Sequence, residues 1–163
     1  MATTFEPIAT SLLGSTSTLI TFASIPSTYT DLFVACNIKT NSGNLQPRIT
    51  LNNDSSALYS QLRMSGTSGV AITDELNAQN YFAPWWNGSS FANFTTFNFD
   101  IFNYTNSSIF KTVHFNMAEA GLEITTTSGL YRSTTAVNRI DITCAFSAFA
   151  VGSIFTLYGI KAA

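Results

Sequence analysis

The sequence predicts an all-β protein: a single antiparallel β-sandwich, jelly-roll-like, with about 8–10 strands. Three observations predict it. Apolar and polar residues alternate with period two in several separate runs. Turn-forming dipeptides stand between those runs. No stretch repeats apolar residues at helical spacing over two turns behind a capping signal. Composition agrees, because Thr, Ser and Asn fill about a third of the 163 residues while Glu and Lys are scarce.

In chain order, Leu19–Phe22 reads as a short strand. It is followed by Leu32–Lys39, where Leu32, Val34, Cys36 and Ile38 take the apolar parity. Asn41-Ser42-Gly43-Asn44 reads as a hairpin loop leading to a strand at Arg48–Leu51. Leu58–Leu62 is a further strand, and Ser65-Gly66 and Ser68-Gly69 read as turns. A short helical turn is placed at Asp74–Ala78, and Asn87-Gly88 is another turn. Phe97–Ile101, Val113–Met117 and Gly121–Thr126 follow as strands, with Ser128-Gly129 as a turn. Arg139–Phe146 and Ile154–Ile160 close the pattern, joined by a Gly-Ser turn rather than forming one membrane span. Pro26 and Pro47 belong at strand edges or turns, where no ladder donor is lost. One apolar and one wet face per strand excludes an all-parallel sheet. No linker or composition shift divides residues 1–163 into more than one domain.

Charge narrows the function classes. Charged residues are 10% of the chain and the net charge is −2, so there is no electrostatic footprint for nucleic acid. No basic and apolar leader opens the sequence. Cys36 and Cys144 both fall on apolar parity and read as buried thiols made in a reducing cytosol. The single histidine, His114, falls on the polar parity of its strand, where a solvent-facing or interface role is the default. Neither a nucleophile elbow, a P-loop nor a zinc motif occurs, and the adjacent acids Asp74-Glu75 point apart on a strand. No cofactor, no metal and no enzymatic activity are expected. A polysaccharide depolymerase would need paired acids on a concave face.

One segment breaks the alternation: Tyr81-Phe82-Ala83-Pro84-Trp85-Trp86. Tyr81, Phe82, Trp85 and Trp86 form a candidate contact surface, because such rings combine an apolar body with, in Tyr and Trp, a polar tip. Plugging the end of the sandwich and stacking on a carbohydrate are the competing roles. Low charge adds a second pointer, since a small sheet protein with so few charges tends to associate. A closed cyclic homo-oligomer is the simplest result.

Four pieces of the chain carry a resemblance. Met1–Ala9, Ile25–Leu32, Gly129–Ala136 and Thr156–Ala162 resemble a group of small tailed-bacteriophage virion proteins, many from phages of cyanobacteria. The resemblance implies a jelly-roll-like sandwich located in the virion and made in the host cytoplasm. It implies a homotrimer that either decorates the capsid as a cement protein, against the major capsid protein, or belongs to the tail or fibre. In the second case it would contact tail proteins and host surface glycans. Residues 1–8 are expected to form an extended N-terminal arm, with Thr4, Phe5 and Pro7 as its contact residues. Neither a membrane nor a nucleic acid is among the expected partners.

Overall fold

The computed structural model describes residues 5–41, 46–67, 69–84, 93–119 and 123–161. These form β1 (Phe5–Leu12), β2 (Leu19–Phe22), β3 (Asp31–Ile38), β4 (Gln46–Leu51), β5 (Tyr59–Thr67), β6 (Val70–Gln79), β7 (Thr95–Phe102), β8 (Lys111–Glu119), β9 (Glu123–Tyr131), β10 (Ile140–Ala145) and β11 (Ile154–Ile160). All pairings are antiparallel. An eight-stranded sheet runs β1-β11-β3-β7-β8-β9-β5-β6, and a three-stranded sheet runs β2-β10-β4. The protein is therefore an all-β antiparallel sandwich.

Its connectivity is that of a jelly roll. Phe82 bridges Ile49 of β4 through N–H···O bonds of 2.9 Å in both directions, so the Phe82 segment supplies a fourth, minimal strand beside β4. The four-strand set β1-β11-β3-β7 then faces β2-β10-β4-Phe82, and with the β5–β6 and β8–β9 hairpins left out the chain crosses between layers at every step except from β4 to Phe82. The hairpins β5–β6 and β8–β9 are additions that extend the first sheet beyond β7.

Between the layers lies one apolar core. Val34, Cys36, Phe97, Phe99, Phe115, Phe155 and Leu157 meet Ile20, Ile49, Leu51, Ile140 and Ile142 of the smaller sheet. Cys36 and Cys144 are both free and buried, on different sheets, and burial pushes both thiols to higher pKa.

The far end of the sandwich is tied by polar clasps. Lys111 is fully buried, and its ammonium donates to the carbonyls of Asn106, Ile109 (2.9 Å) and Thr134 (3.2 Å). One side chain thus joins the β7–β8 loop to the β9–β10 connection. Tyr59 and Tyr131 stack at 4.9 Å, and both hydroxyls donate to Asp54, to its carbonyl and its carboxylate respectively, at 2.7 Å.

Several sequence expectations are corrected. Asp74–Ala78 is not a helical turn but part of β6, an edge strand with no buried side chain, so no alternation marks it. Ala78 takes φ 52° where the β5–β6 register shifts between Tyr59 and Gln61. Ser65-Gly66 and Ser128-Gly129 are not turns; they lie within β5 and β9. The loop containing Asn41 joins different sheets rather than closing a hairpin, since β3 pairs with β11 and β7 whereas β4 pairs with β10. Residues 5–8 belong to β1, paired with β11 of the same chain. Glu6 accepts from Tyr29 at 3.0 Å and from Lys161 at 2.8 Å, and the Tyr29 ring lies over Gly159, where a Cβ would sit 2.3 Å from it. Phe5 and Pro7 thus lie in an extended edge strand, in keeping with an arm laid along a sheet edge, and Thr4 lies outside the described residues.

Candidate functional site

The aromatic segment divides between two roles. Phe82 is fully buried, packed edge-on to Tyr59 at 4.9 Å and tilted on Phe115 at 5.3 Å, so it is a core residue and not a surface contact. A Cβ on Gly129 would lie 2.6 Å from its ring, which explains why glycine stands inside β9. Tyr81 is half-buried beneath the guanidinium of Arg48, 4.4 Å from its ring centroid. Trp85 and Trp86 lie outside the described residues.

Behind Phe82 the chain is held by side chains rather than by a ladder. The Gln61 amide accepts from the Ala83 N–H at 2.9 Å and donates to the Ala83 carbonyl at 2.5 Å, copying a strand pair. Thr127 donates to the Pro84 carbonyl at 2.9 Å. The buried face of the extension is consequently polar: Gln61, Arg63 and Ser65 of β5, and Glu123, Thr125 and Thr127 of β9. Arg63 pairs with Asp74 at 2.7 Å, which ties the edge strand in.

Period-two geometry then forces the apolar residues of β5 and β9 outward. Ile124 is 69% exposed, Met64 51% and Leu62 50%, with Leu130 and Phe102 also on the surface. Two open hollows of about 450 and 260 Å³ lie on this face, the first beside Leu62 and Leu130, the second beside Met64 and Ile124.

Cross-strand register sets the rest of the face. Asp100, His114, Ser128, Leu62 and Glu75 follow one line across β7, β8, β9, β5 and β6. Asn98, Asn116, Thr126 and Met64 form the next, with Thr126 donating to Asn116 at 3.2 Å. Hydroxyls hold both nitrogens of His114: Ser128 Oγ is 3.3 Å from Nδ1 and Thr126 Oγ1 is 3.2 Å from Nε2. An Asp-His-Ser row exists in sequence partners, but the ring is oriented by two hydroxyls and not by the carboxylate, unlike a nucleophile–base–orienter set. Burial pushes the Asp100 carboxyl up, and the neighbouring His114 charge opposes that shift. The surface offers rows of hydrogen-bonding side chains, one of them carrying the carboxylates of Asp100 and Glu75, flanked by exposed apolar side chains.

The exposed edges are poor templates for pairing. β1 carries Pro7 and a register shift, β2 has four residues, and β6 carries Asp74 and Glu75. Among the described residues no three metal-ligating side chains cluster, and no helix is long and apolar enough to cross a membrane.

Comparison with known proteins finds no match to a family model, a curated protein or a solved structure.

Proposed function

We propose that this chain is a non-enzymatic virion structural protein of a tailed bacteriophage, a capsid decoration protein that oligomerises, as a homotrimer, and stabilises the shell. The observation that carries the reading is the inverted patterning of β5 and β9, polar side chains inward and Leu62, Met64, Ile124 and Leu130 outward. A face of that kind on a weakly charged protein is a contact surface. Blunted edges direct association to the face rather than to strand addition. Each apolar contact contributes about 25 cal/mol per Å² of area removed from water, and lattice symmetry repeats it at every site. The jelly-roll architecture fits such a role, being common among capsid domains.

The double substitution Leu62→Glu with Ile124→Glu tests the reading. Both side chains already face solvent, so stability should change by about 1 kcal/mol or less. Attachment of the purified chain to virions depleted of it should be lost, and in intact particles copy number should scale with the capsid lattice. Undiminished attachment by the folded variant would contradict the proposal. A copy number matching the single tail would move the protein to the tail or fibre.

A further inference from the structure

At the end of the sandwich opposite Lys111, two cations are left without carboxylate partners. Among the described residues Arg63, Arg139 and Lys161 form the three ion pairs, Lys111 is enclosed by carbonyls, and Arg132 donates to the Ala57 carbonyl at 2.7 Å. Arg48 and Lys39 instead lie against aromatic rings. The Arg48 guanidinium carbon is 4.4 Å from the Tyr81 ring centroid and 5.5 Å from that of Phe146. Its Nε–H donates to Gln46 Oε1 at 3.1 Å. Rings and amide thus fix the guanidinium while its two terminal Nη groups have no carboxylate partner among the described residues.

Phe146 is placed there at a cost. It is 77% exposed and adopts φ 69°, a region that L side chains with a Cβ rarely occupy. Neither its own burial nor core packing accounts for that backbone conformation. From Phe146 the chain runs to Gly152, which lies against Phe94, and Lys39 Nζ sits 5.9 Å from the Phe94 ring centroid.

We propose that the Arg48–Tyr81–Phe146 clamp binds a carboxylate-bearing saccharide, with Lys39 and Phe94 as a second subsite along the 146–152 loop. A held guanidinium presents a planar fork suited to bidentate pairing with a carboxylate. Exposed phenyl faces match the C–H-rich face of a pyranose ring. A saccharide is favoured over an acidic peptide by the backbone at this end. Asn41 N–H bonds the Ala148 carbonyl, Ala150 N–H the Lys39 carbonyl, and Phe149 and Ser17 pair in both directions. These groups offer an extended peptide no ladder to join. The inference goes beyond virion attachment and uses a different surface.

Calorimetric titration of the full chain with trigalacturonate, maltotriose and hexaglutamate tests it. Trigalacturonate should bind saturably and more weakly as salt is raised. Arg48→Gln should weaken it by about tenfold or more, the loss of a charge-assisted pair. Phe146→Gly should weaken it similarly while leaving the melting temperature unchanged or higher, because glycine relieves the φ of 69°. Failure to saturate, equal affinity for maltotriose, or indifference to both variants would overturn the proposal. Equal or tighter binding of hexaglutamate would also overturn it, assigning the clamp to protein carboxylates. Attachment to particles is read separately through Leu62 and Ile124, so the failure of either idea is distinguishable from that of the other.

Discussion

Phe82→Ala is expected to destabilise the fold by about 3–5 kcal/mol, the range for removing a buried aromatic ring. The ring is fully buried between Tyr59 and Phe115 and over Gly129, so no solvent-side relaxation refills the space. Its backbone also supplies the fourth strand of the smaller sheet through the paired bonds with Ile49. Loss of the ring should loosen that strand together with the Gln61 and Thr127 anchors on Ala83 and Pro84. Urea unfolding checks this through the midpoint at constant slope. A variant of unchanged stability that loses only attachment would restore Phe82 to the contact surface.

Lys111→Met should destabilise by about 2–4 kcal/mol although it removes no ion pair, since charge-assisted hydrogen bonds contribute about 1.5–3 kcal/mol each and buried acceptors left unpaired add a penalty. Methionine keeps most of the apolar stem and deletes the ammonium that joins the carbonyls of Asn106, Ile109 and Thr134. Burial holds the ammonium below its usual pKa. The loops at 103–110 and 132–139 should lose hydrogen-exchange protection first. A change below about 1 kcal/mol would mean that water replaces the ammonium without penalty.

What was legible in the sequence follows burial. β3, β7, β8, β10 and β11 have one buried face, and their alternation locates them; Leu19–Phe22 and Ile154–Ile160 fall where the strands are. β6 escapes because nearly all of its side chains are exposed or half-exposed, and β1 because only part of one face is covered. Gly66 and Gly129 mislead as turn signals. Gly129 is inside a strand because the Phe82 ring needs the room. The outward apolar face escapes for a further reason: β5 and β9 reverse the usual rule, so a reading that sends apolar residues inward places Leu62 and Ile124 in the core. Glu123-Ile124-Thr125-Thr126-Thr127 carries no local signal of the reversal, because a polar parity reads as the solvent face by default. Arg48 and Phe146 carry no local signature, since β4 and the β10–β11 loop meet only in the folded chain.

Sedimentation equilibrium on the isolated chain decides the main proposal most directly. A protein whose outward-facing Leu62, Met64 and Ile124 exist to be covered should populate a closed oligomer across the micromolar range, and the Leu62→Glu, Ile124→Glu variant should sediment as the protomer. A wild-type chain that stays a single protomer at every concentration, and that virions do not deplete from solution, would contradict it.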